Sequence, residues 1–288
     1  MTRILYGAPV AEEIKEDTMA LIQEAHVYGE QPPYLRIITI GDDEASKVYI
    51  RSKCRACDEL KVKYDVVNID PQLSVTEKLD KIEELAGADE VTGVFVQLPT
   101  GNKWLDKVIP QVIPPKKDVD GLTAQSLGGL MSGAPFGRCD ATIAPATPKG
   151  IESMLSYYDV PLKGKVVGII GRSLLVGKPL AQLMLDHNAT VISMHSHSDI
   201  EALAPLCDVL IVAVGKPKLI NSKHLKQGAV VIDVGINRED GKLVGDCDFD
   251  EIIASDKASA ISPVPKGVGV TTVASLLYNL AFLTWMNS

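Results

Sequence analysis

Short apolar stretches rich in β-branched residues alternate with helical patterns along almost the whole chain, and this alternation limits the fold more than any other feature. Examples of the apolar stretches are YLRIITI at 34–40 and VTGVFVQLP at 91–99. Between them lie helical segments such as residues 74–87, which open with a Ser-x-x-Glu capping box formed by Ser74 and Glu77. Strands that alternate with helices build βαβ units, so the sequence predicts an α/β fold with parallel sheets.

A less regular segment, rich in Gly and Pro, interrupts this alternation at residues 102–145 and indicates a domain boundary. The chain has 288 residues, which is enough for two modest cores. We therefore predict one α/β domain over residues 1–145 and a second over residues 146–270, followed by an apolar helix. The second domain contains a hairpin-like stretch, INREDGKLVGD, at residues 236–246.

The chain is acidic, with a net charge of −8 and a pI of about 5.2, and it contains no run of Lys and Arg. This charge disfavours nucleic acid and anionic membranes as partners, so a bound anion must be held by a local site. The N-terminus lacks the apolar centre of a signal peptide, because Glu12 and Glu13 arrive too early. The longest apolar run, Val273–Met286, is too short to span a bilayer and predicts a buried terminal helix.

The five cysteines form an odd, scattered set, which indicates a reducing compartment and therefore a cytoplasmic protein. Cys54 and Cys57 form a CxxC within a helical pattern, but no second CxxC or HxxxH completes a metal set. We interpret the pair as two small core residues one turn apart rather than a redox pair or half of a zinc site. No metal is predicted.

The segment GRSLLVGKP at 171–179 follows a β-branched strand that ends at Gly171, and a helix begins near Gly177. A strand–turn–helix of this kind offers backbone N–H groups and a helix N-terminus to the pyrophosphate of a dinucleotide. The spacing is not G-x-G-x-x-G. Arg172 and Ser173 stand at the end of the strand, where a guanidinium and a hydroxyl can hold a 2′-phosphate.

NAD-selective sites usually place an acidic residue about 20 residues after the glycine turn, where it binds the ribose hydroxyls. Here the next strand ends with the sequence MHSHS, residues 194–198, and the first carboxylate after it is Asp199. This absence, together with Arg172, favours NADP over NAD. Two alternatives remain open, a flavodoxin-like domain with an unoccupied loop and a metal site formed by His195 and His197.

Four polar residues of the first domain suggest a separate site. Tyr49 and Lys53 share the inward face of a helix, and a buried ammonium is costly unless it is used. Gln97 ends a strand and Asp120 lies in the boundary loop. An ammonium, a phenol, a carboxamide and a carboxylate in one cleft would suit acid–base chemistry on a polar heterocycle. The alternative is that Lys53 is a solvated helix lysine and Gln97 an ordinary polar residue at a strand end.

Seven motifs, in order over nearly the whole chain, resemble the bifunctional methylenetetrahydrofolate dehydrogenase/methenyltetrahydrofolate cyclohydrolase family. They are IGDDEASKVYIRSK (40–53), VQLP (96–99), KDVDG (117–121), TPKG (147–150), GRSLLVGKP (171–179), VIDVGIN (231–237) and PVPKGVGVTTV (263–273).

The resemblance implies an N-terminal α/β folate-binding catalytic domain that takes back the C-terminal helix, residues 271–288, and a C-terminal Rossmann-like parallel-sheet dinucleotide domain. It implies oxidation of 5,10-methylenetetrahydrofolate with NADP, followed by hydrolysis to 10-formyltetrahydrofolate. The expected partners are tetrahydrofolate derivatives and a second copy of the chain in a homodimer.

The resemblance also assigns roles to individual residues. Lys53 matches the family's essential lysine, and Gln97 is expected to hold its amine. Tyr49 is expected to stack near the pterin, and Asp120 to bind its amino-pyrimidine edge. The remaining expected contacts are Gly171, Arg172, Ser173, Gly177, Ser196 and Ile236 for the cofactor, and Pro263, Gly267 and Gly269 for the substrate, within a loop that closes over both ligands.

Four positions depart from the family pattern. Lys266 stands where the family usually has glycine, Val270-Thr271 where it has proline-methionine, and Ala146 where it has cysteine. The added cation at Lys266 is expected to meet the acidic glutamate tail of folate. Two rival functions stay open. One is a monofunctional dehydrogenase or an amino-acid-dehydrogenase-like enzyme on the same two-domain plan, and the other is a non-catalytic nucleotide-sensing module.

Overall fold

A computed structural model describes residues 1–29, 31–41, 44–133 and 143–287. Cys139, part of the predicted boundary segment, and Asp42 and Asp43 of the first motif lie outside the described residues.

The strands are β1 (Arg3–Ile4), β2 (Tyr34–Ile40), β3 (Lys63–Ile69), β4 (Gly93–Val96), β5 (Val166–Ile170), β6 (Thr190–Met194), β7 (Val209–Val212), β8 (Ala229–Asp233), β9 (Asn237–Glu239), β10 (Lys242–Val244) and β11 (Ala258–Ile261). The α-helices are α1 (Gly7–Val27), α2 (Glu44–Leu60), α3 (Val75–Gly87), α4 (Lys103–Val112), α5 (Ala124–Ser132), α6 (Ala146–Tyr157), α7 (Gly177–Asp186), α8 (Ile200–Leu203), α9 (Phe249–Ser255) and α10 (Val268–Met286). Short 3₁₀ helices lie at Pro115–Lys117, Ala204–Leu206 and Ser222–His224.

The chain divides into two compact units. The N-terminal unit comprises residues 14–146 and 273–288, and the C-terminal unit comprises residues 147–272 and 1–13. The predicted bounds place residues 1–13 in the N-terminal domain, and here the structure differs. These residues belong to the C-terminal unit because β1 pairs in parallel with β11. A strand of two residues shows no periodicity from which it could be predicted.

The N-terminal unit is built on a parallel sheet with the strand order β3-β2-β4. The central strand β2 is covered on both faces, which explains its nearly continuous apolar sequence. Leu35 and Ile37 pack in a core with α2 and α10, whereas Tyr34 and Ile38 pack on the other face with α3 and α4.

The C-terminal unit contains a parallel sheet with the strand order β1-β11-β8-β7-β5-β6 and the predicted antiparallel hairpin β9–β10. The strand β5 lies between β6 and β7. The chain order therefore reverses at β5, and in open parallel sheets such a reversal leaves a crevice at the carboxyl ends of the two diverging strands. The predicted α/β class with a Rossmann-like C-terminal domain is confirmed.

The terminal helix α10 begins at Val268, earlier than the predicted residue 271, so Gly269 lies in its first turn and not in a loop. By length and composition α10 could cross a membrane, but it is mostly buried. Leu276 and Leu280 are among its residues in the core of the N-terminal unit, as expected for a buried terminal helix.

Candidate active site

Lys53 is buried, with 6% of its surface exposed, although it carries an ammonium group. Its Nζ lies 4.3 Å from the ring centre of Phe95 and 5.9 Å from that of Tyr49, within the range of cation–π attraction. Burial lowers the pKa of Lys53 below its ordinary value, and the charge of Asp120 opposes that shift. A lowered pKa makes the neutral amine, which can accept a proton, more accessible than in a solvated lysine.

Asp120 is the anionic partner of this lysine. Burial raises its pKa to about 7, Lys53 acts in the opposite direction, and the neighbouring Asp118 raises it further. Asp118 is itself fully buried and holds the loop in shape, because its carboxylate accepts hydrogen bonds from the backbone of Leu122 and Thr123 at 3.2 and 2.8 Å. The loop that presents Asp120 is therefore rigid.

Gln97 lies one residue beyond β4, at the same end of the sheet. Its Nε2 donates to the Leu98 carbonyl at 2.7 Å, and its buried Oε1 has no hydrogen-bond partner among the described residues. The expected hydrogen bond from Lys53 to the Gln97 amide oxygen is not present in the described structure. The Gln97 side chain also lines a cavity of about 620 Å³ at the carboxyl ends of β2 and β3.

Two residues that support this site were not predicted. Phe95 lies beneath the lysine and precedes Gln97 by two residues, so strand alternation places both side chains on one face. Asn279, the amide within the apolar C-terminal run, is buried and donates to the carbonyls of Val119 and Ala144 at 3.0 and 2.9 Å. An asparagine within an otherwise apolar run was the sequence feature from which this supporting role could have been predicted.

The glycine turn after β5 is as tight as a dinucleotide site requires. A Cβ at Gly171 would lie 2.3 Å from the Ala213 carbonyl oxygen, and one at Gly177 would lie 2.1 Å from the Gly171 carbonyl oxygen. Gly171 also has a φ of +128°, which side chains rarely permit. The turn leads directly into α7, whose N-terminus faces the crevice at β5.

Arg172 and Ser173 are both exposed at this turn, where their side chains are accessible to a ligand. Ser196 is exposed in the turn after β6, at the end of the neighbouring strand. The next carboxylate, Asp199, accepts a hydrogen bond from the Ala202 N–H at 3.0 Å and caps α8. The first acidic residue after this strand is thus engaged in capping a helix.

The remaining predicted residues follow β8 and β11, so they share the carboxyl edge with the glycine turn. Ile236 is 40% exposed, and a Cβ at Gly269 would lie 3.8 Å from its Cδ1. Pro263 and Gly267 belong to the turn between β11 and α10, in which a Cβ at Gly267 would lie 2.4 Å from the Pro263 carbonyl oxygen. The structure therefore places these candidates at the same edge of the C-terminal sheet as the glycine turn.

The CxxC pair has the environment of core residues. Cys57 is fully buried, and desolvation raises its pKa to about 12, which keeps the thiol protonated. Cys54 is partly buried in the same core, and both are free cysteines. In the described part of the chain no three His, Cys, Asp or Glu side chains cluster as a metal site.

Comparison with known proteins bears on both halves of the chain. Residues 5–120 match the catalytic domain of the tetrahydrofolate dehydrogenase/cyclohydrolase family, and residues 145–286 match its NAD(P)-binding domain. The bifunctional protein FolD of Bacillus anthracis is 40% identical over 282 residues, which cover 96% of this chain and 94% of that protein.

Two solved structures show the same fold. The bifunctional FolD dehydrogenase/cyclohydrolase of Campylobacter jejuni has a TM-score of 0.89 and 36% identity, and the match covers 99% of each chain. The dehydrogenase-cyclohydrolase of Trypanosoma brucei, complexed with NADP and an inhibitor, has a TM-score of 0.88 and 28% identity over 99% of this chain and 97% of that one. With both domains matched in order, the chain belongs to the tetrahydrofolate dehydrogenase/cyclohydrolase family.

Proposed function

We propose that the chain oxidises 5,10-methylenetetrahydrofolate to 5,10-methenyltetrahydrofolate with NADP and then hydrolyses that product to 10-formyltetrahydrofolate. The observation that carries this proposal is the buried Lys53 ammonium near the rings of Phe95 and Tyr49, with the Asp120 carboxylate acting on it. The substrate binds in the N-terminal unit, and the cofactor binds at the carboxyl edge of the C-terminal sheet.

Positioning is the main task of the protein in the oxidation. Bound NADP would supply the hydride acceptor. Asp120 accepts N–H groups from the amino-pyrimidine edge of the substrate, and the Tyr49 ring stacks beside it. The product is a cation stabilised by two nitrogens, so this step needs no strong base.

The hydrolysis, in contrast, requires three proton transfers. Water adds to the methenyl carbon and loses a first proton, which leaves a hydroxyl group on that carbon. A second proton goes to N5 as its bond to the carbon breaks, and the hydroxyl group releases a third proton to solvent as it becomes the formyl carbonyl. Neutral Lys53 can accept the first proton and its ammonium can deliver the second, because burial has lowered its pKa. The Gln97 amide oxygen, which lacks a partner among the described residues, is the acceptor that we assign to orient the lysine once substrate is bound.

The preference for NADP rests on the exposed Arg172 and Ser173, with Ser196 on the neighbouring strand end. A guanidinium and hydroxyls suit a phosphate, and the nearest acid, Asp199, is occupied as a helix cap. The Trypanosoma brucei relative, whose structure contains NADP, supports this choice.

Replacing Lys53 by Met tests the proposal, since it removes the ammonium but keeps much of the volume of the stem. We expect cyclohydrolase activity to fall by about 10²–10⁴, the usual contribution of a positioned acid–base group. Dehydrogenase activity should fall less, because hydride transfer depends on geometry, so methenyl product should accumulate. Both activities are followed by absorbance on the folded variant.

Lys81→Met serves as the matched control, because Lys81 is an exposed lysine of α3 that pairs with Glu84. It should change neither activity. Unchanged cyclohydrolase activity in Lys53→Met would show that this lysine is not the proton shuttle. Equal loss of both activities in a variant that still binds NADP would make Lys53 a substrate anchor only.

We also propose that the enzyme works as a cytoplasmic homodimer. The described cysteines, Cys54, Cys57, Cys207 and Cys247, are all free, which is typical of a reducing compartment. The dimer is expected from the family alone, and sedimentation of the purified chain tests it directly.

A further inference from the structure

Two buried carboxylates of the C-terminal unit have no role in the site described above. Asp233, the last residue of β8, is 2% exposed, and Asp246, just after β10, is 0% exposed. Burying a carboxylate is costly unless hydrogen bonds compensate it, so each of these groups calls for a physical reason.

Asp246 binds a loop of three consecutive residues. Its Oδ2 accepts the backbone N–H groups of Val214 and Gly215 at 2.7 and 3.0 Å. Its Oδ1 accepts the N–H of Lys216 at 2.8 Å and the side-chain amide of Asn237 at 2.9 Å. Successive N–H groups that converge on one anion form a nest, and here the anion is part of the protein.

Asp233 holds the segment that carries Asp246. Its Oδ1 accepts the N–H groups of Gly235 and Asp246 at 3.2 and 2.9 Å, and its Oδ2 accepts that of Cys247 at 2.9 Å. The loop after β7, the loop after β8 and the segment after β10 are thereby joined through two carboxylates. We call Asp233 and Asp246 the carboxylate clasp.

The chain approaches the clasp so closely that only glycine fits at two positions. A Cβ at Gly235 would lie 2.0 Å from the Asp246 Cγ. A Cβ at Gly245 would lie 1.8 Å from Asp233 Oδ2. These distances show that the backbone at both positions is packed directly against the carboxylates.

The loops held by the clasp line the crevice at which the chain order reverses. The loop after β7 abuts the glycine turn, since a Cβ at Gly171 would meet the Ala213 carbonyl oxygen. Gly215 and Lys216 are exposed, although their N–H groups bond inward. Their outer surface is thus open to a ligand in the crevice while their backbone is fixed from below.

We propose that Asp246 is a positioning residue of the dinucleotide site, which fixes the loops after β7 and β8 in the conformation that receives the cofactor. This inference rests on the proposed NADP-dependent function. It assigns to Asp246 no contact with the cofactor and no part in proton transfer.

Asp246→Asn tests the inference, because an amide offers one oxygen and one N–H₂ group where the carboxylate offers two acceptors. Part of the nest then faces a donor and loses its hydrogen bonds. We expect the KM for NADP to rise about tenfold or more, as buried charge-assisted bonds are lost, with kcat changed about threefold at most. Cyclohydrolase activity on methenyltetrahydrofolate, which needs no dinucleotide, should stay unchanged.

Asp240→Asn is the matched control, because Asp240 is an exposed aspartate in the β9–β10 turn and asparagine tolerates its φ of +48°. It should alter neither activity. If Asp246→Asn fails to fold, Asn237→Ala removes a single donor to the same carboxylate and should raise the KM for NADP severalfold.

An unchanged KM for NADP in a folded Asp246→Asn variant, or in Asn237→Ala where the first does not fold, would overturn the inference. So would an equal loss of cyclohydrolase activity, which would indicate a general structural role. Asp246→Asn should weaken the binding of NADP and of NAD by the same factor. A wild-type enzyme that prefers NAD would therefore contradict the proposed cofactor and leave this test of Asp246 intact.

Discussion

Lys266 adopts a backbone conformation that favours glycine, with a φ of +82°. A residue other than glycine held there costs on the order of 1–3 kcal/mol, which explains why the family usually has glycine at this position. Lysine at position 266 therefore lowers the stability of the fold, and it adds an exposed ammonium group at this turn.

Lys266→Gly should raise the melting temperature by about 2–4 °C, the shift expected for about 1 kcal/mol in a chain of this size. It should also weaken binding of polyglutamylated folate more than that of the monoglutamate, most strongly at low salt. Lys266→Ala separates the two effects, because it removes the charge but keeps the strain. If Ala and Gly give the same melting temperature, the backbone strain is not the cause.

We expect Asp120 to make the activity of the dehydrogenase dependent on pH. Burial raises its pKa to about 7, so the carboxylate that we propose as the acceptor of the pterin N–H groups is protonated below that pH. We expect kcat/KM for the folate substrate to fall about tenfold per pH unit below pH 7, as for any essential base of the free enzyme. Asp120→Asn should abolish this inflection. An inflection that persists in the variant would assign it to another group.

Single residues show where prediction from sequence succeeds and where it fails. Tyr49, Lys53 and Asp120 were predicted from one helix face and one motif, and the structure places Tyr49 and Asp120 near Lys53. Tyr49, however, is 37% exposed and does not lie on a buried face as predicted. The expected bond between Lys53 and Gln97 depends on a side-chain rotamer, which spacing does not determine. The role of Asp246 could not be predicted from the sequence, because its hydrogen-bond partners lie up to 32 residues away in the chain.

At the scale of elements, the strong periodic segments were predicted well, including the Ser74–Glu77 capping box of α3, whose two hydrogen bonds are both present. The errors fall at the ends. The predicted start of α10 was three residues late, since glycines within PVPKGVGV read as loop although Gly269 lies in the first helical turn. The two-residue strand β1 is defined only by its partner β11.

The start of α1 packs closely against the turn before α10, so adding a single methyl group at Gly7 should affect both stability and activity. A Cβ at Gly7 would lie 2.2 Å from the Gly267 carbonyl oxygen. Gly7→Ala should therefore destabilise the protein by about 1–3 kcal/mol, the usual cost of overpacking, and raise the KM for folate as the turn shifts. Thermal melts and initial rates measure both effects.

Gly128→Ala is the control for this element, since Gly128 lies inside α5 and a Cβ added there would meet no other atom within 4 Å. Alanine is the better helix former there by about 0.5–1 kcal/mol, so the melting temperature should rise slightly. Equal destabilisation by both substitutions would refute the specific contact at Gly7.

At the scale of the whole molecule, the alternation of strands and helices predicted the α/β class and the order of seven motifs predicted the family, and both are confirmed. Periodicity alone supported two domains and parallel sheets, but the family came from the motifs. The assignment of residues 1–13 failed at this scale, because pairing across most of the chain length leaves no local pattern.

Cofactor choice and bifunctionality are tested together in one assay of the purified chain with 5,10-methylenetetrahydrofolate and either NADP or NAD, in which absorbance reports the methenyl product. We expect kcat/KM to favour NADP at least about tenfold, or about 1.4 kcal/mol in the transition state, and Arg172→Ala to remove most of that preference. The methenyl product should then decay faster than it does without enzyme. Equal use of NAD would contradict the proposed 2′-phosphate site. If the methenyl product decays no faster than it does without enzyme, the second activity is absent and the protein is a monofunctional dehydrogenase.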